Sequence, residues 1–202
     1  MTNAKLKNNI ISAVQQLYSI DAKHKEISVI IVVDFKFTST SMKFIHNYAL
    51  EVKPFHNCKK KILLFTKDVE LYEKYANYVV DGYNTNLKKV KKSEYSWSLA
   101  NVDVSKYKGT INRKSLLPNN LDNIVKGDLN NAIQKVIEGS YIKIFQMNNY
   151  ISAKISDVSV LSQEDTIENI LKLCTFISEK GLYIRKFYLH RSMCKSYKVQ
   201  IK

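Results

Sequence analysis

A chain of 202 residues with 45% hydrophobic and 11% aromatic content has enough apolar material for a folded core, in one large domain or two small ones, which excludes a disordered basic tail. Its 32 Lys+Arg against 18 Asp+Glu leave a formal charge of +14, and such a surplus attracts polyanions because each neutralised phosphate releases condensed counterions. The longest apolar run, residues 27–33, contains Ser28 and is far shorter than the ~18–20 residues of a membrane span, and the first residues carry no apolar signal core. The expectation is a soluble intracellular protein without a membrane partner, with nucleic acid as its leading partner class.

In chain order, residues 3–19 place Leu6, Ile10, Val14, Leu17 and Tyr18 at helical spacing, which predicts an amphipathic helix. Residues 27–37 are rich in β-branched side chains and read as a central strand. A hydroxyl-rich turn at 38–42 leads to a second extended segment that Pro54 stops, and the chain then lapses into a basic stretch ending at Lys59–Lys61. Beyond it the pattern alternates. Strands are predicted at 61–65, 78–81 and 96–100, with helices at 68–77 and 86–92 and a helical turn at 102–107, as βα units around a small parallel sheet. A helix at 128–138 ends near Gly139. Strands at 139–147 and 150–160 follow, then a helix at 162–180 and a last strand at 182–189. Ser162 with Asp165 resembles a capping box and Gly181 stands where a glycine ends a helix, while Ile167, Ile170, Leu171, Cys174 and Ile177 form the expected buried stripe.

The chemistry-bearing residues are dispersed. Cys58, Cys174 and Cys194 make no C-x-x-C pair, and His24, His46, His56 and His190 form neither an H-E-x-x-H motif nor an i, i+4 pair, so no disulfide framework or metal centre is expected. No serine sits in a G-x-S-x-G elbow, and Glu164-Asp165 suits a helix N-terminus rather than acid–base work. None of the five glycines falls in phosphate-cradling spacing, so the α/β portion has the layout of a nucleotide fold without a cofactor loop; no cofactor and no enzymatic activity are expected. Basic residues gather around the last strand, at Arg185, Lys186, Arg191 and Lys195, and border the early one at Lys36 and Lys43. If the two strands are neighbours, these side chains either converge on a groove or form a solvated face.

Neither outer piece has enough elements to bury its own apolar faces. The predicted fold is therefore α+β with an α/β insert: residues 1–54 and 139–202 form one discontinuous α+β sandwich, and residues 55–138 a small Rossmann-like parallel-sheet domain.

Three stretches stand out together: Ile144-Phe-Gln-Met147, the helix holding Glu168-Asn-Ile170, and Tyr183-Ile-Arg-Lys-Phe-Tyr-Leu-His-Arg-Ser-Met193. The first is similar to the I-K-F-Q-M element and the last to the V-R-x-x-Y-I-K-S-T-M-G ending of the L-one proteins of the large ribosomal subunit, which form its mobile stalk beside the tRNA exit site, and the chain resembles their eukaryotic and archaeal branch. In the insert, Ile111-Asn-Arg-Lys-Ser-Leu-Leu-Pro118 looks like the L-N-K-A-G-K-x-P loop. The family implies a split rRNA-binding domain and an insert reaching toward exit-site tRNA. By position it places Ser192 and Met193 on the T-M of an RNA-binding turn, and Ser28 and Lys36 on the early strand. The family's glycine is Cys194 here, its F-x-E-T-V-E-L acids become Ile27 and Ile30, and its G-P-G loop is shortened around Lys108-Gly109. These departures imply the same RNA site bound with different detail and a reduced tRNA contact.

The expected function is thus that of a structural, non-enzymatic constituent of the cytosolic large subunit. It would bind rRNA through Ser28, Lys36, Arg191, Ser192, Met193 and Lys195, contact exit-site tRNA transiently through Asn112, Arg113 and Lys114, meet other ribosomal components and form no homo-oligomer. The alternatives are a ribosome-assembly factor using the same RNA-binding fold and an RNA-modifying enzyme.

Overall fold

The computed structural model describes residues 4–35, 49–56, 61–66, 79–81, 95–101 and 128–201. The chain is mixed α and β and divides into two compact units, Met1–His56 with Tyr141–Lys202, and Asn57–Ser140. The turn expected at 38–42, the helices expected at 68–77 and 86–92, the helical turn at 102–107 and the loop at 111–118 lie outside the described residues, as do Lys36, Lys43 and Cys58.

The first unit begins with helix α1 (Ala4–Ser19), which buries Leu6, Ile10, Ala13, Val14 and Leu17. Strand β1 (Glu26–Phe35) follows, and its run of Ile and Val suits the pleated surface it joins. Strand β2 (Ala49–Glu51) comes next. In the second unit β3 (Lys61–Phe65) lies between β4 (Val79–Asp81) and β5 (Tyr95–Ala100) in a parallel sheet of order β4-β3-β5, and α2 (Leu129–Glu138) packs against β5. Ile62, Leu63, Leu64 and Phe65 are all fully buried, as a strand covered on both faces requires. Asp128 caps α2 by accepting a hydrogen bond from the Asn130 amide, and Gly139 ends it at φ 81°.

The chain then returns to the first unit. The segment expected as one strand at 139–147 is two short ones: β6 (Tyr141–Lys143) pairs with β2, and β7 (Phe145–Met147) pairs with β8 (Tyr150–Asp157) in a different sheet. Gly139 belongs to the helix end. Helix α3 (Gln163–Glu179) starts at Ser162, whose hydroxyl accepts from the Asp165 amide at 3.1 Å and donates to the Asp165 carboxylate at 3.1 Å, and Gly181 follows the helix in the left-handed region at φ 72°. Strands β9 (Leu182–Arg191) and β10 (Ser196–Val199) complete an antiparallel sheet of order β10-β9-β1-β8-β7.

Both α1 and α3 pack on one face of this sheet and on each other. They meet Ile27, Val29, Ile31 and Val33 of β1, Phe187 and Leu189 of β9, and Ile151, Ala153 and Ile155 of β8. The buried side of α3 is rotated from the expected stripe: Leu173, Asn169 and Thr166 are buried with Ile170, Cys174 and Ile177, while Ile167 and Leu171 are half-buried. The polar members are satisfied. Thr166 bridges the Ser156 hydroxyl at 2.6 Å and the Tyr18 hydroxyl at 2.7 Å, and Asn169 accepts from the Lys53 amide while donating to the Lys53 and Ile155 carbonyls. Burial pushes the Cys174 thiol up to about 12, so it is a neutral core group.

Candidate nucleic-acid interface

Strand residues alternate between faces, and residues directly opposite each other in an antiparallel pair share one. With Ile27, Val29, Ile31 and Val33 of β1 turned to the helices, the register assembles the other face as transverse rows. Ser196, His190, Ser28 and Lys154 form the first, at the end where β9 turns into β10. Lys198, Tyr188, Ile30, Ser152 and Phe145 form the second. Lys186, Val32, Tyr150 and Met147 form the third, and Asp34 opposite Tyr183 closes the face. No described element of this unit lies over these rows, and apart from Val32 their residues are half-buried or exposed.

Charge on this face is partly paired. Lys154 meets Glu26 at 2.7 Å and Arg185 meets Asp34 at 3.6 Å, both in the open, where such pairs contribute little to stability. Lys186 and Lys198 have no acid partner among the described residues and stand in the same rows as Tyr150 and Tyr188. The Ser196 hydroxyl lies 3.2 Å from the His190 Nδ1.

The expected site residues separate. Ser28 lies on the open face, paired with His190, and the Ser192 amide donates to the Glu26 carbonyl at 3.1 Å, so the 192–195 turn stands beside the first row. Met193 is 86% exposed and Lys195 is exposed. The Cys194 amide donates to the Arg191 carbonyl, closing a four-residue turn whose third position, Met193, has φ 63°. A turn with positive φ at that position favours glycine. The glycine-demanding position is therefore Met193; Cys194, where the family motif has its glycine, is not in the left-handed region.

Arg191 requires a correction. It was expected on the RNA surface, but it points from β9 to the helix side, is 1% exposed, and donates all its bonds to backbone carbonyls: Nε to His24 at 2.8 Å, Nη1 to Leu17 at 3.0 Å and Ile20 at 2.6 Å, and Nη2 to Ala22 at 3.2 Å. Its guanidinium thus caps the C-terminus of α1, where unpaired carbonyls and the helix dipole favour a cation. Lys36 and the insert residues Asn112, Arg113 and Lys114 lie outside the described residues.

Tyr188, His190, Lys198, Phe145 and Tyr150 were not singled out from sequence. The available signal was period-two alternation along β9 and β7, which assigns a face only once a neighbouring strand fixes the parity. Among the described residues no three His, Cys, Asp or Glu side chains are arranged to hold a metal ion, and no helix is long and apolar enough to cross a membrane. No family model and no curated protein matches the chain.

Proposed function

We propose that this chain binds folded RNA through the open face of its five-stranded sheet and the adjoining 192–195 turn, as a non-enzymatic constituent of the large ribosomal subunit of the L-one type. The observation that carries the reading is the distribution of side chains across the sheet: both helices cover one face, while the other presents lysines, a histidine, hydroxyls and tyrosines in register, on a chain of formal charge +14. Such a surface suits an irregular RNA, because A-form grooves hide base identity and leave phosphates, 2′-hydroxyls and unpaired bases for contact. On this reading the outer segments are a split rRNA-binding domain, in which Ser28, Ser192, Met193 and Lys195 contact RNA at one end of the sheet. The parallel-sheet unit is a Rossmann-like insert without a cofactor loop, turned toward exit-site tRNA, and the protein resides on the cytosolic ribosome.

Crosslinking to total RNA in cells, with mapping of the crosslinked nucleotides, tests this directly. The expected result is a cluster in large-subunit rRNA together with co-sedimentation with translating ribosomes. Crosslinks confined to messenger RNA, or absent from large-subunit rRNA, overturn the assignment, and sedimentation with precursor particles alone assigns it instead to ribosome assembly.

A further inference from the structure

Six large hydrophobic side chains are exposed among the described residues, and all but Val160 gather on one sheet face and its adjoining turn. Phe145, Met147, Tyr150 and Tyr183 all lie on the open sheet face by register, and Met193 projects from the turn at its end. Single exposed apolar residues are ordinary on a protein surface, whereas a cluster on one face marks a surface that meets something. Phe145 and Tyr150, each about half-exposed at 50% and 52%, sit diagonally across the β7–β8 pair, where side chains stand about 7–8 Å apart. That separation holds two successive bases that have left their own stack. Lys186 in the Tyr150 row and Lys198 in the Tyr188 row supply positive charge beside the rings, which suits phosphates better than an uncharged protein partner.

We propose that Phe145 and Tyr150, with Tyr188 farther along the second row, are a stacking platform for unpaired bases, so that the RNA engaged by this face is a single-stranded or looped-out segment. This rests on the RNA-binding reading and specifies its ligand. Aromatic faces accept any base, because every base has a π-face, so affinity would depend weakly on sequence and strongly on the absence of pairing.

The test uses the full chain and a labelled single-stranded RNA of about 12 nucleotides, within the range such grooves accommodate. A duplex with the same number of phosphates is measured beside it, by anisotropy across a salt series. The expected result is tighter binding of the single strand. Phe145→Leu and Tyr150→Leu each lower its affinity about tenfold with the salt slope kept, while Tyr150→Phe binds as the parent protein does. Thermal unfolding of each variant verifies that it is folded. Leucine variants that bind like the parent, while Lys186→Gln and Lys198→Gln lose affinity, overturn the platform and leave RNA binding standing. Equal affinity of the parent for duplex and single strand also overturns the platform. Failure of the parent to bind either RNA overturns both and leaves the face to a protein partner.

Discussion

The two faces of the five-stranded sheet come from the same strands and differ only in residue parity. On the helix side of β1 and β9 stand Ile27, Val29, Ile31, Val33, Phe187 and Leu189, all fully buried, and on the other side Ser28, Ile30, Tyr188 and His190, all half-buried. The contrast is sharpest where β9 ends. His190 faces the open side, Arg191 is sealed under α1, and Ser192 is in the turn. Three consecutive polar residues therefore have three different surroundings, and the most strongly charged of them is structural. A basic residue in a strand next to a suspected phosphate site is informative only after its face is known.

Replacing Arg191 breaks this comparison most directly. Arg191→Leu leaves the carbonyls of Leu17, Ile20, Ala22 and His24 without their common donor, and the expected loss is about 3–5 kcal/mol, as for removing one partner of a buried charged network. Urea unfolding measures it. Arg191→Lys recovers little, because an ammonium lacks the planar fork that reaches four acceptors. The salt slope of RNA binding by the folded fraction is expected to stay at the parent value; a reduced slope would return Arg191 to the RNA surface.

The opposite substitution pattern belongs to the open face. Lys186→Gln with Lys198→Gln is expected to leave the urea midpoint in place and to lower the slope of log affinity against log salt by about 1.4 for a single strand, at ~0.7 per phosphate contact. A shifted midpoint with an unchanged slope would mean that these lysines serve the fold.

Core chemistry predicts a pH effect specific to one side chain. The Cys174 thiol, raised by burial from an ordinary value of 9.0 to about 12, keeps its proton in the folded chain after the unfolded chain has lost its own. Stability from this group is complete below the unfolded value and declines as pH rises from about 9 toward 12. Comparing urea midpoints of the parent and Cys174→Ala across that window isolates it: the variant is less stable at neutral pH because of its cavity, and its midpoint falls less steeply with pH. Parallel pH profiles would contradict the assignment of Cys174 to the core.

Much of the first unit is legible in the sequence. Helices α1 and α3 announce themselves by apolar spacing, and the start of α3 by Ser162 with Asp165, because helical period and capping are local properties. Strand β1 is evident from its β-branched run. What failed depends on distant partners. Strand β10 is four residues with one buried side chain, Val199, too short for a pattern to emerge. Residues 139–147 read as one strand because nothing local shows that Ile142 pairs with Leu50 while Gln146 pairs with Ile151. Register also shifts between Ile27 and Ser28 and between Val32 and Val33, and each shift changes which neighbours share a face. Of the expected RNA contacts, Ser28 and the 192–195 turn are brought to one end of the sheet by the pairing of β1 with β9, a long-range fact that no local pattern contains.

The smallest expected effect lies in that turn, and its sign carries the information. Met193 holds φ 63° with its side chain almost wholly in solvent, a conformation of order 1–3 kcal/mol above the ordinary regions for a residue other than glycine. Glycine removes that strain but adds freedom to the unfolded chain, an opposing effect of roughly 0.5–1 kcal/mol. Met193→Gly is therefore expected to raise stability by about 0.5–1 kcal/mol on balance, read from the urea midpoint. If the side chain meets RNA, the same variant binds more weakly while folding more tightly, and Met193→Asn, which tolerates the left-handed region, weakens binding with a smaller gain in stability. Opposite signs for stability and affinity would identify a strained residue retained for contact. Gains in both would mean that the turn positions its neighbours Ser192 and Lys195 and that Met193 itself touches nothing.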